Sequence, residues 1–269
     1  MRAMSKLKLD WGINGLKYAI AQHDNIVIID QLRFSSAVVT AIAHGFIIEP
    51  TSDKTRKTES FSLSPYSFLD KKPTRVIMAS SNGAYLSTNA KEGKRVVYGS
   101  LLNAKAIGKW IDTLNNEDTT LIAAGEINIE VRRRFLDCVE SMQSKENELF
   151  ALEDFVAAGA ISSYSHVSKS NDCINAEKAF YKVKDHLLEY IKETATHRYN
   201  ASRGDGKDTE YCSKLNFLNS QIFRHQDTQF LGHFPLFLRY LINQNIFVIY
   251  LAFQISHRQQ YFIYRVCFS

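Results

Sequence analysis

The chain has 269 residues, 45% of them apolar and 23% charged, with a formal net charge of +5. This composition suits one large α/β domain or two small ones and excludes a disordered or membrane-embedded class. The charge is uneven: residues 221–269 hold four arginines against one acid, Asp227, while the remainder carries 29 basic and 27 acidic residues. That balance, with no basic stripe interleaved with aromatics in the first 220 residues, is no electrostatic footprint for nucleic acid.

The N-terminal MRAMSKLKLDWG lacks the apolar core of a signal peptide, so a cytoplasmic location is expected. Four cysteines, Cys138, Cys173, Cys212 and Cys267, stand far apart with no CxxC pair or metal-finger spacing, which suits reduced thiols. The run Ile26–Asp30 (IVIID) predicts a buried strand that ends on an acid. Arg33, Ser35 and Ser36 follow it closely, and Phe34–His44 repeats apolar residues at helical spacing up to a stop at Gly45. Phe46–Pro50 (FIIEP) reads as a short strand. Thr51–Ser60 (TSDKTRKTES) reads as an exposed loop, with the charge run Lys54–Lys57 in solvent.

Arg75–Ala79 (RVIMA) predicts a strand followed by Ser80, Ser81, Asn82 and Gly83, then a short helix. Arg95–Gly99 (RVVYG) repeats the arrangement, with Ser100 and Asn103 before an amphipathic helix through Trp110 and Leu114. Thr119–Glu126 (TTLIAAGE) repeats it again. Strand, small polar turn and helix, four times over, predict a largely parallel sheet covered by helices. Further on, residues 129–148 read as a charged helix. Ala151–Tyr164 reads as an apolar helix with Glu153 and Asp154 near its start, Glu177–Thr194 as an amphipathic helix, and Tyr199–Thr209 (YNASRGDGKDT) as a polar loop.

Ligands of an open parallel sheet bind beyond the carboxyl ends of its strands, and every unusual polar cluster here falls at such an end. Glycine, serine, asparagine and arginine in these turns suit an anion, and a carboxylate among them suits a divalent cation shared with a phosphate. Structural readings stand beside these: Asp30 with Arg33 as an ion pair, Asn82-Gly83 as a plain turn, and Glu153 with Asp154 as acids opposing a helix dipole. The sequence has no GxxxxGK[ST], no cysteine followed six positions later by arginine, no second acid two positions after Asp30, and neither HExxH nor GxSxG. The common phosphate-handling and hydrolase motifs are therefore excluded.

The ordered stretches IVIIDQLRFSSAVVTAIAHGFIIEP, LSPYSF, VIMASSNGAYLS, GSLLNAKAIGKWI, LIAAGE and ALEDFVAAGAI together resemble the 2-phosphosulfolactate phosphatase family, from about Asp10 to about Asn219. The resemblance implies a three-layer α/β/α fold with a largely parallel or mixed central sheet. It also implies a magnesium-dependent acid phosphatase acting on a small anionic phosphate ester in the branch leading to coenzyme M or sulfolactate. Matched motif by motif, it implies that Asp30, Glu153 and Asp154 hold Mg²⁺. Arg33, Ser36, Asn82, Gly83, Ser100 and Asn103 would bind phosphate or substrate, and Asp30, Arg33 and Glu153 would serve catalysis. An anion-binding module that has lost catalysis is the competing reading.

The chain departs from the family in three places. Ser80, Ser81 and Ala84 stand where threonines are usual, residues 129–148 form a longer insert, and the resemblance stops at about Ser220. Residues 1–220 are therefore expected to form the phosphatase-like domain. Residues 221–269 form an aromatic-rich extension whose longest clean apolar run, Ile246–Phe253, is too short for the ~18 residues of a membrane span. That extension is either a segment packing on the domain, a partner or an interface, or a misread gene end without an evolved fold. A symmetric homodimer is a common state for an α/β enzyme of this size.

Overall fold

A computed structural model describes residues 5–114, 116–126 and 150–218. The expected helix at 129–148 and the extension at 221–269 lie outside the described residues. The chain divides into a unit of residues 1–225 and another of 226–269, and every described strand and helix belongs to the first.

Five parallel strands form the main sheet: β1 (Lys6–Trp11), β2 (Asn25–Ile29), β5 (Val96–Gly99), β6 (Thr119–Ala123) and β7 (Ser168–Lys169). Their order is β5-β2-β6-β1-β7. All five residues of β2 are buried, as expected of a central parallel strand covered on both faces. Because side chains alternate along a strand, Val27 and Ile29 enter one core while Ile26 and Ile28 enter the other.

The first core also takes Ile107 and Ile111 of α4 (Ala104–Thr113), Val156 and Ile161 of α5 (Leu152–Ser163), and Phe180 of α6 (Asn171–Val183). The second takes Leu16 of α1 (Gly12–Ala21), Phe34 and Val38 of α2 (Phe34–Ala43), and Leu86 of α3 (Gly83–Asn89). The result is a three-layer α/β/α arrangement. Among the described residues, no helix is long and apolar enough to cross a membrane.

Three local expectations differ from the structure. Strands β3 (Ile47–Thr51) and β4 (Arg75–Ala79) pair in parallel with each other in a separate two-stranded sheet. They bury Ile48, Val76 and Met78 on the second core. The helix expected at Glu177–Thr194 is broken: α6 ends at Val183, and α7 (Leu187–Lys192) follows a single 3-10 turn. The loop expected at Tyr199–Thr209 holds for residues 203–207 but its two ends are helical, because Thr194 caps α8 (Ala195–Ser202) by accepting from the His197 N–H, and α9 (Asp208–Cys212) begins only six residues after α8.

At the amino ends of the strands, Glu117 accepts hydrogen bonds from Asn25 Nδ2 (3.1 Å), Lys94 Nζ (2.9 Å) and Arg95. The bonds from Lys94 and Asn25 hold its carboxyl at about 2, against an ordinary 4.5. A depressed acid stabilises the fold fully above its ordinary value and loses that contribution as pH falls towards the folded value. Glu117→Gln is therefore expected to cost about 1 kcal/mol near neutral pH. Urea unfolding of variant and wild type should show the gap shrinking at about pH 3.

Candidate functional site

Because β5, β2 and β6 are neighbours, their carboxyl ends bring Ser100, Asp30 and Gly125 to one rim. Asp30 turns back onto the helix that follows it. Its Oδ1 accepts the Phe34 N–H at 3.2 Å, its own N–H donates to Ser35 Oγ at 2.9 Å, and its carbonyl accepts the Ser35 N–H at 2.8 Å. Its Oδ2 accepts the Gly83 N–H at 2.8 Å, with Ser80 Oγ at 3.5 Å. This tie joins the second sheet's last turn to the main sheet, and it needs glycine. A Cβ on residue 83 would lie 2.3 Å from Phe34 Cδ1 and 2.8 Å from Asp30 Oδ2.

Glu153 and Asp154 occupy the first turn of α5, where a helix favours acids. Both are nevertheless buried, at 3% exposure each, as is Asp30 at 5%. Asp154 spans two strand ends: Oδ1 accepts the Gln31 N–H at 2.7 Å and Oδ2 accepts the Gly125 N–H at 3.0 Å. The hydroxyls of Thr196 and Thr194 lie near enough to Glu153 to oppose the rise in its pKa. Burial raises the pKa of all three acids. The Asp30 charge adds to the rise at Glu153, and the Glu153 and Asp30 charges carry Asp154 well above the ordinary range.

The structural reading in which Asp30 pairs with Arg33 is not what the fold builds. Asp30 points at backbone N–H groups, while the Arg33 guanidinium is gripped by Asp208 through Nη1 and by Asp205 through Nη2, the latter at 2.9 Å. Burial works against the Arg33 charge, but these two acids outweigh it and raise its pKa. Ser64 Oγ donates to the other oxygen of Asp208 at 2.6 Å and so aims the carboxylate. Sequence reading missed Asp205, Asp208 and Ser64. The acids of GDGKD, in a segment otherwise without an obvious partner, were the available signal.

Asn82 donates through Nδ2 to Glu126 Oε1 at 3.2 Å, and its buried Oδ1 has no hydrogen-bond partner among the described residues. Glu126 is itself buried and was not singled out in the sequence as an individual site residue.

Three other expected ligands make bonds within the protein. Ser100 accepts the Leu102 N–H at 3.2 Å while Asn103 Oδ1 accepts the Ser100 N–H at 2.9 Å, a reciprocal cap at the start of α4. Asn103 Nδ2 donates to the Tyr98 carbonyl at 3.0 Å. Ser36 Oγ donates to the Gln31 carbonyl at 2.9 Å. The Gln31 side chain, also missed, accepts the Leu101 N–H at 2.9 Å and donates to the Cys212 carbonyl at 2.8 Å, tying the rim to α9.

The site thus has an inner group of buried carboxylates and an outer guanidinium fixed by two further acids. Among the described residues, Asp30, Glu153 and Asp154 have no ion-pair partner. Uncompensated buried carboxylates are costly, and their oxygens suit a hard cation or a proton.

A parallel α/β domain with its polar groups at the carboxyl ends of its strands belongs to the ligand-binding and catalytic class of such folds. The sequence model described as 2-phosphosulpholactate phosphatase matches residues 49–225. A protein of Clostridium beijerinckii named probable 2-phosphosulfolactate phosphatase is 25% identical over 224 residues, covering 72% of this chain and 85% of its own. Its namesakes from Carboxydothermus hydrogenoformans and Thermotoga petrophila are 26% and 24% identical, covering 79% and 70% of this chain and 91% and 83% of theirs. The chain belongs to the 2-phosphosulpholactate phosphatase family, a family of phosphatases.

Proposed function

We propose that the chain is a Mg²⁺-dependent phosphomonoesterase that hydrolyses 2-phosphosulfolactate, or a close multiply anionic ester, to sulfolactate and phosphate. The observation that carries this reading is the burial of Asp30, Glu153 and Asp154 near enough for their charges to act on one another, with no ion pair to any of them among the described residues. As they stand the three acids are not a ready-made cation site, since no group of three acidic, histidine or cysteine side chains among the described residues is placed to hold a metal; an ion there would need them to turn from the N–H groups they accept, with the orphaned buried Oδ1 of Asn82 as a neutral oxygen on the same rim. Asp30, Glu153 and Asp154 would hold the ion. When bound, magnesium supplies positive charge opposite the phosphoryl oxygens and acidifies a coordinated water.

The other roles are those of the chain itself. Arg33, held in a fixed orientation by Asp205 and Asp208, offers its remaining N–H groups to the phosphate. Asn82 and the Gly83 turn border the same anion. Ser36, Ser100 and Asn103 act by positioning, since they close the turns that carry Gln31 and Leu101. In hydrolysis, water oxygen bonds to phosphorus as the ester P–O bond breaks, and the water proton passes to solvent. The departing alkoxide takes a proton from solvent.

Phosphate release from 2-phosphosulfolactate and from small phosphorylated hydroxy acids, with Mg²⁺ or with EDTA, tests the reading. Turnover is expected with Mg²⁺ and lost with EDTA. Anion binding without phosphate release at any Mg²⁺ concentration would instead identify a non-catalytic member of the family.

A further inference from the structure

A pocket of about 300 Å³ opens beside Arg33 and is lined by Lys54, Lys57, Phe61, Leu63 and Met78 among others. Its size lies at the small end for ligand sites. It adjoins the carboxylate site at two points. Arg33 lines it three residues after Asp30, and so does Ala79, the residue before Ser80, whose hydroxyl meets Asp30. The run Lys54–Lys57 is exposed, as expected of a solvated loop, and two of its lysines also line this pocket. Arg56 turns away to Glu49 at 3.3 Å, while both lysines face the pocket.

The charge balance of this pocket is uneven. Asp205 and Asp208 together more than neutralise Arg33, so any surplus positive charge comes from the lysines. Lys54 has no hydrogen-bond or ion-pair partner among the described residues, and Lys57 has only Glu59, itself exposed, at a loose 3.9 Å. Phe61, Leu63 and Met78 supply apolar walls that limit the occupant's size. Two weakly compensated, solvent-exposed ammonium groups lining a small recess with apolar walls suit a compact strong anion such as a sulfonate or carboxylate.

We propose that Lys54 and Lys57 form a subsite for the non-transferred acidic group of the substrate, selecting esters that carry a second strong anion close to the phosphate. The inference rests on the phosphatase reading for its substrate, but it makes a claim about anion binding that needs no turnover.

The test is calorimetric titration of the full chain with sulfolactate, which carries no phosphoryl group, for wild type and Lys54→Ala/Lys57→Ala. Lys91→Ala, which removes an exposed charge from the turn before β5, serves as control. The double variant is expected to bind about tenfold or more weakly, the ordinary loss for charge-assisted contacts, with the control unchanged. Its KM for 2-phosphosulfolactate should rise by a similar factor. Sulfolactate binding that is absent in the wild type, equal in wild type and double variant, or weakened equally by Lys91→Ala overturns the proposal. Lysine-dependent sulfolactate binding in a chain that releases no phosphate would uphold the subsite and overturn the phosphatase reading alone.

Discussion

Asp30→Asn is expected to lower phosphate release at least about a hundredfold, the scale of losing one electrostatic contact to a reacting group. Its effect on melting temperature should be small. The amide oxygen can still accept one of the two N–H groups, from Phe34 or Gly83, that the carboxylate now satisfies. The other N–H then faces an NH₂ group and loses a bond worth about 1 kcal/mol, with a further penalty for its burial. Against this, the substitution removes a buried negative charge that burial already disfavours and that repels Glu153 and Asp154. The two effects are of similar size and opposite sign. Phosphate release at saturating substrate with Mg²⁺, beside thermal unfolding by circular dichroism, separates the outcomes. Wild-type turnover in a folded Asp30→Asn would remove this carboxylate from the mechanism.

Gly159→Ala is expected to be among the most destabilising single-methyl changes in the chain. On propensity alone alanine should stabilise a helix interior by about 1 kcal/mol. Packing opposes this, because a Cβ at residue 159 would lie 2.0 Å from the Ala176 carbonyl oxygen and 2.5 Å from its carbon. These are backbone atoms of α6 and cannot rotate aside, so α5 and α6 must separate. Overpacking of this kind costs about 3 kcal/mol, which corresponds to a fall of about 10 °C in Tm for a domain of this size. Glu153 and Asp154 lie on the same helix, so activity should fall with stability. An unchanged or raised melting temperature would show that the two helices are not packed at this distance.

The same contrast between local pattern and distant packing explains what could be read from the sequence. Strand β2 was legible because a central parallel strand is apolar on both faces, leaving Asp30 conspicuous at its end. Strand β1 was not: KLKLDW buries Leu7 and Leu9, while Lys8 is paired with Asp24 at 2.7 Å and Asp118 at 3.1 Å. A lysine in a strand reads as surface unless its partners are known. Helix α1 begins at Gly12 without a side-chain cap, so no start signal announces it. The separate pairing of β3 and β4 was hidden because a strand's composition reports burial and not its neighbour. Asp30, Asn82, Glu153 and Asp154 could be nominated from local pattern, whereas the partners of Arg33 stand 172 and 175 residues away, beyond any motif spacing.

That separation bears on when in the protein's life the site comes into being. Asp30 and Arg33 leave the ribosome early, yet Asp205 and Asp208 emerge only near the end of the described chain. The carbonyl that anchors Gln31 belongs to Cys212, 181 residues downstream. Until α9 has been synthesised and docked, Arg33 lacks both acids that orient it and Gln31 lacks one of its two anchors. A nascent or prematurely terminated chain can therefore carry most of the sheet and all three inner carboxylates while Arg33 remains unheld.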